Sequence, residues 1–360
     1  MKKIIEIFIV FNMLIMSFFS NLSSVFAQNN TTFYAYSNDI YEFDDYAQQK
    51  VNLFMYSYYG YIDDSLELGK GVIIINDNGY QQVLYPVWKN NEIVAKFIVV
   101  KVGDELSGTF STTLVEQLNS LIDLTSEKYP MLLLGKDCLY AKIGEQLYNL
   151  NNKNAKCDVE ILGELNLDIM DVVDISERME YDKTSNMRST TSKTLTWKVY
   201  STQTDLSDGY CASHCLYNVF RNDYITAYGL NRIKNALGPG FNVQTKVRNF
   251  LTSLDFTYMS ADSGYLSASS VQSIINGYSY IIIYVRNTIG TTEESTGITV
   301  YAGHTMVLYG YTINSSGSTY RIWDTPYDTY KIMDANTRLV TSDNTHVYRW
   351  NSGYVYNISK

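Results

Sequence analysis

Apolar runs that end at turn residues are the clearest pattern in the first half of the chain. Three runs have the length and β-branched content of strands, namely residues 71–75, 82–87 and 93–102. Turn signals separate them, at Asp77-Asn78-Gly79 and Lys89-Asn90-Asn91. Helical spacing follows over residues 111–124, with Thr112 or Thr113 near the cap and an apolar face of Leu114, Leu118, Leu121 and Ile122. The pattern predicts a small α+β unit.

The second half combines a helical pattern with several strands. Apolar positions 211, 212, 215, 216, 219 and 220 recur with helical spacing directly after the turn residues Ser207-Asp208-Gly209. Strand-like runs occupy residues 280–285, 305–311 and 319–323, and Asn314-Ser315-Ser316-Gly317 predicts a hairpin turn between the last two. We therefore expect an α+β domain in which a helix that begins at Cys211 packs against an antiparallel sheet.

The first 27 residues have the pattern of a secretory signal peptide. Lys2 and Lys3 precede an apolar stretch from residue 7 to 19, and small and polar residues then lead to Ala27. Asn12 interrupts the apolar stretch, which argues against the alternative of a retained membrane anchor. We expect cleavage after Ala27, a secreted, extracellular protein, and no stable membrane association once the signal is removed.

Length and charge divide the remaining chain into two parts. A chain of 360 residues is longer than one hydrophobic core usually supports, which favours two domains. Residues 28–190 carry 13 Lys and Arg against 25 Asp and Glu, a net charge of −12, whereas residues 191–360 have a net charge of +2. The stretch 183–194 (KTSNMRSTTSKT) has Met187 as its one large apolar residue, which predicts an exposed linker open to proteolysis.

The acidic part shows no catalytic pattern. It contains no His and no glycine-rich phosphate loop, and its carboxylates are scattered as on a solvated face. Cys138 and Cys157 have two open interpretations, a disulfide or two small buried residues. The chain as a whole has neither a basic stripe nor a nucleotide-binding motif, so we expect no nucleic-acid partner and no cofactor.

Cys211 is a candidate nucleophile because of its place at the start of a helix. The positive end of the helix dipole and the unpaired backbone N–H groups lower the pKa of a thiol there and favour the thiolate. Cys215, one turn further, fits a core-facing role, and that role is also the alternative for Cys211. A metal site is disfavoured, since His214 is the one further ligand nearby and no second Cys pair exists.

The candidate bases are few, because the chain has three histidines: His214, His304 and His346. His304 stands at the start of a strand-like run, and folding about the hairpin turn brings Asp324 back toward it. Asp324 would then orient the imidazole as the third member of a catalytic set. The alternative is a structural strand-end His304 and a turn-forming Asp324. His346 lies in a late strand-like run with no chemical partner in the sequence.

The blocks around these residues resemble the catalytic blocks of papain-like cysteine peptidases. They are GYCASHCLYNVF, GHTMVLYGY and RIWDTPY, in which Cys211, His304 and Asp324 follow one another at distances of 93 and 20 residues. The nearest branch is the secreted bacterial one typified by staphopains, and SSVQSIINGYSYIIIYVR, residues 269–286, is similar to that branch. The resemblance covers residues 197–360, and the acidic part resembles the family's propeptide in position and size.

The resemblance implies a papain-like catalytic domain in residues 191–360, preceded by a small α+β propeptide domain in residues 28–190. Cys211 would be the nucleophile, His304 its ion-pair partner and general base, and Asp324 the orienting residue where the family usually has Asn. Gln203, eight residues before the nucleophile, is the candidate oxyanion-hole side chain. Pro326 stands where the family's shielding Trp is expected, so the candidates to replace that indole are Trp323 and Tyr327.

The function implied is that of a secreted cysteine endopeptidase made as a latent precursor. Its partners would be a protein or peptide substrate and its own propeptide as an intramolecular inhibitor, with no metal and no cofactor. Three other functions stay open: transglutaminase-like transfer of an acyl group to an amine, hydrolysis of cell-wall peptides, and a non-catalytic binding module with the 33 Tyr as contact residues.

Overall fold

A computed structural model provides the architecture of the chain. It describes residues 40–76, 81–124, 131–135, 139–143, 146–150, 156–157, 178–181, 183, 189–203, 208–240, 243–292, 299–300, 302–326, 329–342 and 346–359. The expected signal peptide, the turn at Asp77-Asn78-Gly79, Cys138 and Tyr327 lie outside these residues. Among the described helices, none has both the length and the apolar content needed to cross a membrane.

The described portion of the acidic part is an α+β unit. Its helices are α1 (Ile40–Tyr59) and α2 (Val115–Leu124). Its strands are β1 (Glu67–Gly69), β2 (Val72–Asn76), β3 (Gln81–Lys89), β4 (Glu92–Val102), β5 (Glu105–Ser111), β6 (Met131–Gly135), β7 (Leu139–Ile143), β8 (Gln146–Asn149), β9 (Lys156–Cys157) and β10 (Arg178–Met179). Strands β3, β4 and β5 form an antiparallel meander, and α1 buries Phe43, Ala47, Val51 and Phe54 in the core next to it.

The three strands expected in this part are confirmed as β2, β3 and β4, but the expected helix begins later than predicted. Asn90 and Asn91 have positive φ angles of 51° and 66°, as a tight hairpin turn requires. The pattern predicts a helix from residue 111, whereas Ser111 ends β5 and α2 begins at Val115. β5 continues through Ser111 because strands pair with it on both sides, and Leu114, with a φ of 69°, breaks the helical backbone before α2.

The second part contributes four described helices and ten strands. The helices are α3 (Cys211–Asn222), α4 (Leu230–Leu237), α5 (Val243–Ser253) and α6 (Ala268–Asn276). The strands are β11 (Thr191–Thr194), β12 (Thr257–Ala261), β13 (Ile281–Asn287), β14 (Thr291–Thr292), β15 (Thr299–Val300), β16 (Gly303–Asn314), β17 (Gly317–Asp324), β18 (Thr329–Asp334), β19 (Leu339–Ser342) and β20 (His346–Ser359).

Antiparallel pairing places the central strands in the order β20, β13, β16, β17 and β18. The predicted helix at Cys211, the three predicted strands and the hairpin turn between β16 and β17 are confirmed. A large antiparallel sheet with helices packed on it makes the chain a member of the α+β class.

The sheet is continuous between the two parts of the chain. β5 pairs antiparallel with β18, so that Phe110 lies opposite Ile332, and the Ile332 side chain is buried in the core under α1. The hydroxyl of Tyr46 donates a hydrogen bond to Asp334 over 2.7 Å. Backbone pairing and side-chain hydrogen bonds therefore attach the acidic part to the edge strand of the second part.

The last residues of the expected linker belong to the sheet. Residues 191–194 form β11, which pairs with β16 and places Lys193 opposite Tyr311. Their side chains stay largely exposed, which is why a polar sequence is compatible with this strand. The prediction of a linker over residues 183–194 therefore needs correction for its last four residues, and residues 184–188 lie outside the described part of the chain.

Candidate active site

Cys211 is the first residue of α3, and the local sequence explains why the helix begins there. Gly209 has a φ of 68°, and a Cβ atom on it would lie 2.8 Å from the backbone nitrogen of Gly240. Only glycine fits a turn with both properties. Beyond this turn, Cys215 and Leu216 are buried in the core that α3 shares with β13 and β16. The Cys211 thiol is thereby held at the N-terminal end of a buried helix face.

His304 and Asp324 lie on the neighbouring strands β16 and β17 and form a buried pair. Met306 is opposite Asp324 in the register, so His304, two residues earlier on the same face, reaches the carboxylate. Nε2 of His304 lies 2.6 Å from Oδ1 of Asp324. Because Nε2 is used in this contact, Nδ1 is the ring nitrogen left for the hydrogen bond between His304 and Cys211. The structure brings these three predicted residues together.

Burial and charge act in opposite directions on the two reacting groups. Burial raises the pKa of the Cys211 thiol, but the hydrogen bond and positive charge of His304, together with hydrogen bonds to Thr305, outweigh it, and the pKa falls below its ordinary value. Burial lowers the pKa of His304, but the Asp324 carboxylate and the Cys211 thiolate outweigh it and raise the pKa to about 10. Both shifts favour the thiolate–imidazolium form of Cys211 and His304.

The second oxygen of Asp324 has its own partners. Nζ of Lys331 on β18 lies 2.7 Å from Oδ2, and the hydroxyl of Ser342 on β19 donates to the same oxygen over 2.6 Å. Burial raises the pKa of Asp324, but Lys331 and His304 hold it well below its usual range. Sequence reasoning missed both partners. For Lys331, the one sequence feature that could have indicated the contact is a lysine within the strand-like run TYKIMD. No sequence feature indicated the contact of Ser342.

Tyr348 on β20, which was not among the expected candidates, places an aromatic ring beside His304. Its ring centroid lies 5.6 Å from that of His304, and 6.2 Å from that of His346. Trp323, one of the two expected candidates, does not take this place. It follows the alternation of β17 to the opposite face of the sheet from Asp324, where its ring lies 5.4 Å from that of Trp197.

Gln203 lies beside the turn that precedes Cys211. Its backbone N–H donates to the carbonyl oxygen of Thr325, the residue after Asp324, and its Nε2 donates to Oδ1 of Asp208 over 2.5 Å. The same Oδ1 accepts a hydrogen bond from the backbone N–H of Tyr210 over 2.8 Å. Asp208 thus connects the Gln203 amide to the residue next to Cys211. The role of Gln203 as the oxyanion donor stays a prediction.

The two remaining residues of the Cys-x-x-His-Cys stretch are structural in character. Sγ of Cys215 donates to the carbonyl oxygen of Thr305, and burial raises the pKa of this thiol well above its ordinary value. The hydroxyl of Ser201 lies 2.8 Å from Nδ1 of His214, and burial, with Lys234 nearby, lowers the pKa of His214 to about 4. His214 is therefore neutral near pH 7.

The arrangement is a thiol, an imidazole and a carboxylate in a hydrogen-bonded row at a helix N-terminus, which is suited to nucleophilic acyl chemistry. Comparison with protein-family models finds none that matches the chain, and comparison with curated proteins also finds no match.

Proposed function

We propose that the chain is a secreted cysteine endopeptidase of the papain-like type, made as a latent precursor. The observation that carries the proposal is the buried hydrogen-bonded row of Cys211, His304 and Asp324, with the thiol at the start of α3. A nucleophile, a base and an orienting group in this order are what covalent hydrolysis of an acyl bond needs. The α+β arrangement, a helix on an antiparallel sheet, supports a papain-like catalytic domain in residues 191–360.

The reaction follows from the charge state of the pair. The Cys211 thiolate attacks the carbonyl carbon of the scissile peptide bond, and the carbonyl π electrons move to the oxygen. The backbone N–H of Cys211 and the amide of Gln203 are the proposed donors to that oxyanion. The C–N bond then breaks, the imidazolium of His304 gives its Nδ1 proton to the leaving amine, and a thioester remains on Cys211.

Hydrolysis of the thioester regenerates the enzyme. Water attacks the thioester carbonyl while the neutral His304 takes a proton from it, and the C–S bond breaks with the electron pair on sulfur. The product acid leaves, and the thiolate–imidazolium pair is restored. Asp324 holds the ring through Nε2 in both steps, because its contact lies on the far side from Cys211.

The acidic part is proposed to keep the precursor latent until the linker is cut. The observation that supports a specific inhibitory role is its attachment to the catalytic part through β5 and β18. Cleavage between residues 183 and 190 would break the covalent link between the two parts of the chain. It would leave β11 intact, because that strand begins at Thr191.

The test is a comparison of residues 28–360 before and after cleavage of the linker. We expect the cut form to hydrolyse a fluorogenic peptide, to react with iodoacetamide at Cys211, and to lose both properties in Cys211→Ala. The uncut form should be slow in both assays. Incorporation of a primary amine into casein without peptide cleavage would instead identify an acyl transferase, and an unreactive Cys211 in the cut form would identify a binding module.

A further inference from the structure

The proposed reaction uses one oxygen of Asp324, and the other oxygen is bound by a buried cation that the reaction does not require. Lys331 is 4% exposed and Asp324 is 1% exposed. Nζ of Lys331 lies 2.7 Å from Oδ2 of Asp324 and donates a second hydrogen bond, over 2.9 Å, to the carbonyl oxygen of Thr341. A charge this far from water is costly unless a partner of opposite charge is held in place.

Lys331, Asp324, His304 and Cys211 form a row of four groups whose charges alternate in sign when the reacting pair is ionised. An amide in the place of Asp324 would bind the imidazole without adding charge. A carboxylate adds a negative charge beside His304, and Lys331 cancels it at a distance of 2.7 Å. The row therefore has no net charge. A row with an amide at position 324 and an uncharged residue at position 331 would also have none.

We propose that Lys331 is a positioning residue of the active site, which fixes the Asp324 carboxylate and cancels its charge so that the two residues together act as a neutral orienting group for His304. This inference rests on the proposed function. Two hydrogen-bond donors to Oδ2, Lys331 and Ser342, leave Oδ1 directed at Nε2 of His304. Lys331 is itself fixed by the register of β18, in which it lies opposite Ile322 of β17.

Other titratable groups surround Asp324 and define what a pH experiment measures. His304 faces it from β16, Lys331 from β18, and Cys215 from α3, while Cys211 lies beyond His304. On β20, the ring of Tyr348 lies near both His304 and His346, with centroid distances of 5.6 and 6.2 Å. Cys215 stays a neutral thiol, since burial raises its pKa well above the ordinary value. The pH limits of Cys211 reactivity therefore report mainly on the alternating row.

The two single substitutions are expected to shift these limits in opposite directions. Lys331→Met leaves the Asp324 charge uncancelled, which disfavours the Cys211 thiolate and favours the His304 imidazolium, so both limits move to higher pH. Asp324→Asn leaves the Lys331 charge uncancelled, and both limits move to lower pH. An opposite charge within about 4–6 Å changes a pKa by about 1–3, and this scale applies to His304, which contacts Asp324. The pKa of Cys211 should move in the same direction by less, because the imidazole lies between the thiol and the carboxylate. The double variant restores neutrality and should lie between them, close to the unsubstituted protein.

The experiment measures the rate of Cys211 alkylation by iodoacetamide against pH in the linker-cut form of residues 28–360. Its acid limit is the ionisation of the thiol, and its alkaline limit is the change in rate on loss of the His304 imidazolium proton, since the thiolate itself still reacts there. Ser342→Ala is the matched control, because it removes a hydrogen bond from the same oxygen without removing a charge. We expect alkylation of Lys331→Met to be slower at pH values below the pKa of the Cys211 thiol, by about tenfold for each pH unit by which that pKa rises, and Ser342→Ala to change the rate less. Unchanged limits in Lys331→Met, with only a lower melting temperature, would reduce Lys331 to a structural residue and overturn the proposal.

Two further outcomes keep the inference separate from the proposed function. If Lys331→Met does not fold, the double variant Asp324→Asn/Lys331→Met carries the test, and the inference requires it to fold and to keep limits near those of the unsubstituted protein. A double variant with strongly displaced limits, or one that does not fold, contradicts the inference. Alkylation needs no substrate, so a protein that cleaves no peptide but shows these opposite displacements would refute the peptidase proposal alone.

Discussion

Sγ of Cys215 lies 3.3 Å from the carbonyl oxygen of Thr305, the residue that follows the proposed base. Cys215 is fully buried one helical turn beyond Cys211. The two thiols of this helix therefore differ in kind, one facing the imidazole and the other the core.

This difference predicts opposite effects of the two alanine substitutions. Cys211→Ala should abolish peptide hydrolysis and leave the fold intact, whereas Cys215→Ala should keep most of the activity and lower the free energy of unfolding by about 1 kcal/mol, as for one buried methylene group. Peptide hydrolysis and urea unfolding measure the two effects. Equal residual activity in the two variants would contradict the assignment of the nucleophile.

The pH dependence of kcat/KM should be bell-shaped with a wide optimum. Activity needs the Cys211 thiolate, so it declines as the pH falls through the lowered pKa of that thiol. It also needs the protonated His304, so it declines as the pH rises through about 10. The limits belong to the coupled pair and not to single residues. A limit near pH 6.5 on the alkaline side would mean that Asp324 and the thiolate do not support the imidazolium.

Asp324→Asn is expected to cost stability as well as activity. Papain-like peptidases usually have Asn at this position, so the resemblance alone would predict substantial activity in Asp324→Asn. The contact between Asp324 and Lys331 changes this expectation. The buried ammonium of Lys331 would lose its carboxylate and keep only the carbonyl of Thr341, and breaking a buried pair in this way costs about 3–5 kcal/mol. Thermal unfolding of Asp324→Asn measures the lost free energy of unfolding.

His304→Ala should be nearly inactive, because it removes the proposed base and a general acid–base group contributes about 10²–10⁴-fold in rate. Peptide hydrolysis by the two variants, measured side by side, gives the order of importance of His304 and Asp324.

The same pair predicts a loss of stability in acid. Because the pKa of Asp324 is depressed in the folded state, its contribution is present above the unfolded value of about 3.9 and is lost as the pH falls through the folded value. Urea unfolding at a series of acidic pH values measures the loss. Asp324→Asn/Lys331→Met should lack this dependence.

Gln203 provides a separate test of the oxyanion site. If its amide binds the developing oxyanion, Gln203→Ala should lower kcat by about 10²–10³ with little change in KM. Thr325→Val is the control, since it removes the hydrogen bond from the Thr325 hydroxyl to Oε1 of Gln203 and leaves Nε2 on Asp208. A loss of stability without a loss of kcat in Gln203→Ala would assign this residue to the support of the turn before Cys211.

Inhibition by the acidic part in trans should depend little on salt. Residues 28–182, added to the cut enzyme, would bind through the β5–β18 ladder and contacts such as that between the hydroxyls of Ser57 and Thr319. The ion pair between Glu105 and Arg349 is exposed, so Arg349→Ala should weaken binding by about 0–1 kcal/mol. We expect inhibition to persist at about 0.5 M NaCl, where surface charges are screened. Its loss on addition of salt would mean that the net charges of −12 and +2 dominate docking.

The sequence predicted the elements that depend on local pattern. The start of α3 follows from Gly209 and the apolar spacing after Cys211, and the turn between β16 and β17 follows from residues 314–317. Once these two strands form a hairpin, His304 and Asp324 must meet near its open end, so the approach of both residues was also predictable.

The groups that the sequence did not reveal reach the site through strand order. Lys331 and Ser342 contact Asp324 because β18 and β19 follow β17 in the fold, and Tyr348 reaches His304 from β20. A lysine in a strand usually faces solvent, and no local pattern shows that another strand will cover it. The predicted start of α2 was four residues too early for the same reason, since the pairing of Ser111 with β18 is a long-range contact.

The pairing of β5 with β18 has a consequence for the order in which the protein is made. Without β5, strand β18 would end the sheet with free backbone N–H and C=O groups and a bare Ile332, which is a template for self-association. Synthesis proceeds from the N-terminus, so β5 and its meander can fold before β18 leaves the ribosome. The acidic part can therefore cover the sheet edge of the following domain as soon as that edge forms.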